Sequence, residues 1–536
     1  RMESTGVVSK IQVSQSTAAL IRKAGKGHWL TKRDGEVEAK GKGKVQTYFV
    51  EPRSHSSSSS SSVVDDPDEN EFQVMDEKTR RLVDWNVEIM KKLLKQVVAR
   101  REALQKIDRK SMKVQNSTNV SPAMGSGTVL DEVREVIELP AFDPRLERNT
   151  AEANTIELNT SVMIQLREYV SLIASMYRKN PFHCFEHASH VTMSVAKLLS
   201  RIVAPSDGVI QSAQDGRGQL ASTLHDHTYG ITSDPLTQFA CVFSGLIHDV
   251  DHQGVPNTQL LAENSPLVET YNGKSLAEQN SVDLSWRLLK QDQFEDLRNV
   301  IAATAPEMSR FRQLVVNSVM ATDIMDKDLK ALRNGRWEKA FSEGSRLGES
   351  MEVNTNRKAT IVIEHLIQAS DVAHTMQHWH IYRKWNESLF LEMYTAYKAG
   401  RAGQNPAEFW YKGEIGFFDF YIIPLAKKLS DCGVFGVSSD EYLSYAVKNR
   451  EEWEHRGLEV VASMIQKFET SNDKLCLDKV SLVPKEVSLL PKEVESKPLL
   501  DNADETEVET TEANIQECNS QEEEGETSGP KLYLQI

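Results

Sequence analysis

The feature that most constrains this chain is a nearly apolar run of nine residues, Phe239 to Ile247, that leads without a break into His248-Asp249-Val250-Asp251-His252. A run of this kind is drawn into the protein interior, and the four ionisable side chains at its end are drawn in with it. A buried charge without a partner costs several kcal/mol, so these groups need ion partners or a cation. Here a functional reading overtakes the structural one.

Two other segments carry similar chemistry. In Asn180-Pro-Phe-His-Cys-Phe-Glu-His-Ala188, Pro181 suits a first helical turn, which predicts a helix with His183 and His187 on one face. Alone, such a pair is more often a surface pair or a satisfied core histidine. Asp371 follows the apolar stretch Ile361 to Ala369. Imidazoles and carboxylates without a thiolate suit zinc or iron at one position and magnesium or manganese at an oxygen-rich neighbour.

Charge narrows the function classes. The 536 residues carry a formal net charge of −15, so no positive field exists to attract nucleic acid or an anionic membrane, and neither is expected as a partner. Any phosphate handled is expected to be small and metal-held. The five cysteines lack CxxC spacing, which speaks against a disulfide framework or a thiolate zinc site and for a reducing, cytoplasmic location. No apolar run reaches the roughly 20 residues of a bilayer span.

Composition divides the chain. Residues 1–50 read as strand, helix and hairpin, with Ser14 able to cap a helix from Thr17 to Arg22 and Gly41 and Gly43 between two strands. Residues 51–75, serine-rich and then acidic, read as a disordered linker. In 76–112, Leu82, Trp85, Ile89, Leu93, Val97 and Leu104 recur at helical spacing, and two readings stay open: a helix packed on its own neighbours, or a coiled coil joining two copies. Residues 130–470 form one large, overwhelmingly helical core, so the fold class is mainly α with a small α/β piece before it. Residues 471–536 read as a disordered acidic tail, with eleven acids and one lysine after position 500.

Together, Asn-Pro-Phe-His-x3-His-Ala (180–188), Ile-His-Asp-Val-Asp-His-x-Gly-Val-x-Asn (247–257), Ala-Thr-Asp (321–323), Asp371 followed by Tyr-Arg-Lys-Trp (382–385), and Gly-Phe-Phe-Asp-x-Tyr (416–421) resemble the catalytic domain of the class I 3′,5′-cyclic nucleotide phosphodiesterases. The resemblance covers about 340 residues in motif order. It implies an all-helical fold around a deep pocket with two divalent ions, and hydrolysis of a cyclic nucleotide (cGMP or cAMP) to the 5′-monophosphate in signal transduction. It also implies roles: His187, His248, Asp249 and Asp371 as ligands of a zinc-like site, with Asp249 bridging to a magnesium- or manganese-like one; His183 as proton donor to the leaving O3′; Glu278 as the carboxylate orienting His183; His252 and Asp323 as supports of the bridging water; Phe417 and Leu389 as the clamp on the base. His183, Asp249 and Asp371 would also contact substrate.

Three positions depart from the family. Glu414 stands where it has a purine-binding glutamine, Cys184 where asparagine usually follows the acid, and His374 where asparagine follows the metal aspartate. An ionised carboxylate only accepts hydrogen bonds, which leans towards guanine, whose N1–H and N2 amine both donate. The rival functions are a non-catalytic cyclic-nucleotide sensor and another His-Asp metal phosphohydrolase.

Arg1-Met-Glu-Ser-Thr-Gly6, Lys10-Ile-Gln-Val-Ser14 and the segment Val37 to Tyr48 resemble the last part of a class III nucleotidyl cyclase domain. Its metal-binding aspartates lie upstream in that family, so the piece is not expected to cyclise a nucleotide alone. It implies a parent chain joining a cyclase to a phosphodiesterase, of which this would be the cytoplasmic part, behind a membrane anchor.

Overall fold

The computed structural model describes residues 11–23, 30–50 apart from 34, 36 and 40–42, then 75–110, 127–146, 153–203, 216–341 and 350–481. The expected linker within 51–74 and the acidic tail from 482 onward lie outside these residues. The chain divides into two units at Val74/Met75.

In the first unit, strand Thr47–Val50 lies between Ile11–Ser14 and Leu30–Lys32, antiparallel to both. Val37–Ala39 pairs with Gly43–Val45, so a hairpin forms as expected but with Gly43 inside its second strand, while Thr47–Val50 pairs in the other sheet. The helix Gln15–Lys23 follows the first strand, and Ser14 Oγ accepts the Thr17 N–H at 3.3 Å, the cap its sequence implied. Leu30–Lys32 carried too short a pattern to be read as a strand.

The second unit is helical and is built around Pro235–Ile247, every residue of which is buried except Gln238. Asp234 starts this helix by accepting from the Thr237 N–H at 3.2 Å and is itself paired with Arg310; Pro235 occupies the first turn, where a missing N–H costs nothing. The helices Phe185–Ser200, Ala305–Met320 and Glu77–Lys110 pack around it. Gly245 allows the first of these to come close, since a Cβ there would lie 3.2 Å from the Thr192 backbone N. Met351–Asp371 packs on Phe185–Ser200 and on the central helix.

Helix Glu77–Lys110 packs on its own neighbours, as the first of the two readings of the 76–112 segment expected. It buries Val83, Val87, Met90, Leu94 and Val97 in the same core as the central helix. The buried face is rotated by about one position from the stripe read in the sequence, because Trp85 is half-buried and Leu104 is 38% exposed. Polar contacts fix it as well: Asn86 donates to Ser189 Oγ at 2.9 Å, and Arg101 donates to the Val300 carbonyl at 3.1 Å. The helical core therefore begins at Met75 rather than near 130, and the helix Val437–Ser481 runs past 470.

Because Leu94 is fully buried, Leu94→Ala should destabilise the helical unit by about 2–5 kcal/mol. Denaturant unfolding should show that loss while sedimentation shows an unchanged mass. A shift in oligomeric state instead would favour the coiled-coil reading.

Candidate functional site

Three helix ends meet at one point. His187 lies in the first turn of Phe185–Ser200, His248 directly follows Pro235–Ile247, and Asp371 is the last residue of Met351–Asp371. Two of these ends are C-terminal, where the helix dipole favours a positive charge. Their donor atoms converge with that of Asp249. His187 Nε2 is 3.1 Å from Asp371 Oδ1 and 3.7 Å from Asp249 Oδ2, while His248 Nε2 is 3.0 Å from Asp249 Oδ2 and 3.3 Å from Asp371 Oδ1. Edges near 3 Å are those of a coordination shell with bonds of about 2.0–2.2 Å.

His248 Nδ1 donates to the Gly245 carbonyl at 3.0 Å, which turns Nε2 into the cluster. His248 Nε2 and Asp249 Oδ2 are both buried and make no hydrogen bond, although they are neighbours. Burial opposes charge on all of these groups, yet mutual attraction holds His248 well above its usual range and Asp249 and Asp371 below theirs. Two orphaned atoms in a set of four converging N and O donors fit a divalent cation.

Asp251 takes no part. With φ of 63° it turns aside to Arg178, 2.7 Å away, so the block that looked uniform in the sequence is split by one strained residue. His252 continues to the cavity wall.

His183 is not on the helix with His187. The helix starts only at Phe185, after Cys184 at its N-cap, and His183 sits in the preceding bend. Its position is set by Glu392: Oε2 accepts the N–H groups of Phe182 and His183 at 2.9 and 3.0 Å, and Oε1 takes His183 Nδ1 at 2.5 Å. Burial works against a charged imidazole, but the carboxylate overrides it and raises His183 to about 9. Glu392 is drawn down to about 2 by the same pair, against its own burial.

The carboxylate on His183 is thus Glu392 and not Glu278. Glu278 accepts from Asn257 Nδ2 at 2.9 Å and lies near Asp323; burial and then that neighbour push it up to about 8. Sequence reading missed Glu392, whose one signal is an acid set between Phe390-Leu391 and Met393-Tyr394 on an otherwise apolar helix.

His252 stacks on His183 with ring centroids 3.8 Å apart. It accepts the Gly254 N–H at Nδ1 over 3.2 Å, so its proton is on Nε2. Burial, then the charge of His183, lower it to about 4. Asp323 Oδ1 is occupied by the N–H groups of Met325 and Asp326 at 2.9 and 3.0 Å.

One cavity is lined by the polar side chains His183, Asp249, His252, Glu278, Asp323 and Asp371 together with the apolar Leu389 and Phe417. Phe417 is stacked on Tyr421, centroids 5.4 Å apart. His374 is on the wall; burial and then His187 lower it to about 3. Glu414 is 2% exposed and is not among the lining residues; it accepts from Tyr382 Oη at 2.6 Å. Burial raises it to about 7, against the hydrogen bonds from Tyr382 and Asn386. Cys184 is half-buried, a free thiol raised by burial.

Comparison with known proteins gives two family matches. Residues 182–434 match the family described as 3′5′-cyclic nucleotide phosphodiesterase, and residues 1–52 match that of the adenylate and guanylate cyclase catalytic domain. The chain is 24% identical over 343 residues to the probable 3′,5′-cyclic-AMP phosphodiesterase pde-4 of Caenorhabditis elegans, covering 61% of this chain and 44% of that protein. It is 26% identical over 269 residues to the dual specificity calcium/calmodulin-dependent 3′,5′-cyclic nucleotide phosphodiesterase 1C of Mus musculus, covering 47% and 31%. With the cGMP-specific 3′,5′-cGMP phosphodiesterase 3 of Dictyostelium discoideum the identity is 20% over 309 residues, covering 56% and 58%. The chain spans less than two thirds of each of these relatives. Among solved structures, the phosphodiesterase domain of the RhoPDE fusion protein from the choanoflagellate Salpingoeca rosetta is 21% identical with a TM-score of 0.41, over 56% of this chain and 85% of that one.

Cation binding to the folded state should stabilise it by mass action. Calorimetry should show Zn²⁺ raising the melting temperature of the wild type and leaving that of His248→Ala unmoved; an equal rise in both would place the ion elsewhere.

Proposed function

We propose that the helical unit, whose residues 182–434 match the 3′5′-cyclic nucleotide phosphodiesterase family, hydrolyses a 3′,5′-cyclic nucleotide to the 5′-monophosphate. The observation that carries this is the placement of a carboxylate-held imidazole, His183, in the same cavity as Asp249 and Asp371 of the four-donor cluster. Phosphodiester hydrolysis needs the phosphoryl group held at one end and the departing oxygen protonated at the other.

The cation set fits the donors: His187, His248, Asp249 and Asp371 would hold a zinc-like ion, and Asp249 would reach a second, magnesium- or manganese-like one. When bound, such ions neutralise phosphoryl charge and make water a nucleophile near neutral pH. The remaining work falls to the chain. His183, kept cationic by Glu392, donates its Nε2 proton to the leaving O3′. His252, neutral and with its proton on Nε2, is a hydrogen-bond donor beside that acid without competing as a second cation. Asp323 and the largely protonated Glu278 give the polar wall acceptors and a donor for ordered water. Leu389 and Phe417 receive the flat base.

Base choice is assigned to Glu414. It acts through the residues it holds rather than by touching the base: it lies outside the cavity lining, and burial raises it to about 7 against the hydrogen bonds from Tyr382 and Asn386, whose helix also carries Leu389. No helix among the described residues is long and apolar enough to cross a membrane. We place the unit in the cytoplasm as part of a cyclase-linked signalling chain.

The full chain with Mg²⁺ should turn over cGMP or cAMP, and His183→Ala should lower kcat by about 10²–10⁴-fold. No turnover in wild type leaves the sensor reading. Glu392→Gln removes the group that raises His183, so the alkaline limb of the kcat/KM profile should move from near pH 9 to lower pH; an unmoved limb would assign it to another group. Glu414→Gln should shift the cGMP-to-cAMP ratio of kcat/KM towards cAMP, and an unchanged ratio removes Glu414 from base recognition.

A further inference from the structure

A second cavity, of about 410 Å³, abuts the same cluster from another side. Asp371 and His374 line both cavities, and His187 lines only this one. These three side chains are therefore a partition between the proposed substrate cavity and a separate pocket that no part of the proposed reaction uses. Its volume lies within the roughly 300–1,000 Å³ usual for small-molecule sites.

The lining of the second cavity defines what it would take. Its walls include Met193, Trp385 and Tyr442, a flat and polarisable apolar surface. Lys197 and Lys384 also line it, and both are exposed. Lys384 has Glu186 at 3.6 Å, but that carboxylate is shared with Lys78 at 2.5 Å, so one acid serves two cations. Lys197 makes no ion pair among the described residues. Cationic charge is in excess there, apart from Asp371, whose carboxylate faces the His187–His248 cluster. A further observation points inward: Ser370 lines the pocket and is 2% exposed, and its Oγ has no hydrogen-bond partner.

We propose that this pocket binds a small organic anion with an aromatic or branched apolar body. Its acid group sits at Lys197 and Lys384 and its body against Met193, Trp385 and Tyr442. Occupancy acts on the metal-ligand cluster through the shared wall, His187 and Asp371, so it changes turnover without occupying the substrate cavity. This last step rests on the proposed hydrolase reading; the binding itself does not.

The test is fluorescence titration of the full chain with 8-anilinonaphthalene-1-sulfonate, an aryl sulfonate of this class, in the presence of saturating cyclic nucleotide. Lys197→Glu/Lys384→Glu, which alters only exposed side chains, should weaken the nucleotide-insensitive binding at least tenfold. Met193→Trp, which fills the pocket, should do the same with an unchanged melting temperature. In turnover assays the probe should lower kcat and leave KM in place. Titrations of both variants that coincide with wild type, or complete displacement of the probe by cyclic nucleotide, would overturn the proposal. A chain without turnover would refute the hydrolase reading and leave the titration to decide this one.

Discussion

The structure depends on a set of charges that the core could not keep without a counter-ion. His187 and His248 bring their Nε2 atoms within 3.0–3.7 Å of the carboxylates of Asp249 and Asp371 in an interior where two of those atoms have no hydrogen-bond partner. Such a cluster costs stability unless something positive occupies its centre. Its price is met by the fold around it: Gly245 lets two helices touch, the Asp234 cap fixes where the central helix begins and hence where His248 falls, and Asn449 holds the carbonyls of Thr375 and Gln377 at 2.8 and 2.7 Å. That last contact pins the turn that follows Asp371.

Next to this cluster, two stacked imidazoles have been driven to opposite states. His183 and His252 share nearly the same depth and are 3.8 Å apart, too close for both to be charged. What separates them is the partner at Nδ1. His183 has a carboxylate there and is raised to about 9, whereas His252 has only a backbone N–H and falls to about 4. A pair of titratable groups pushed apart in this manner is what an acid step needs: one proton held ready, one neighbour that does not compete for it.

Much of this was legible in the sequence, for reasons that can be named. Phe239 to Ile247 had to be buried, so the ionisable block after it had to be a cluster, and the helical class of the core followed from apolar spacing. The internal order of the block was not legible, because the turn at Asp251 that sends its carboxylate to Arg178 is a matter of backbone conformation. The start of the helix at Phe185 was misjudged by one turn, since Pro181 is as compatible with a bend as with a first turn. Glu392 was invisible because its role depends on a contact across 209 positions, and nothing local distinguishes such an acid from a solvated one. The rotation of the Glu77–Lys110 stripe has a similar cause: a helix with apolar residues on more than a third of its face is oriented by its neighbours.

The acid and the base-binding side chains of the cavity are not independent. Helix Trp379–Lys398 carries Tyr382 and Asn386, which hold Glu414; Leu389, which lines the apolar wall; and Glu392, which holds His183. Their spacing of four, three and three residues keeps them close to one helical face. A rigid helix of this length transmits a displacement at one end to the other, so the register of that single face sets both the contacts of Glu414 and the position of the Glu392–His183 pair. The carboxylate at 414, the imidazole at 374 and the thiol at 184 all border this machinery, while the four-donor cluster rests on three other helices. Glu414 can therefore change together with its contacts on this one helix, whereas Cys184, which caps the helix of His187, and His374, beside Asp371 in the cavity wall, also border the four-donor cluster.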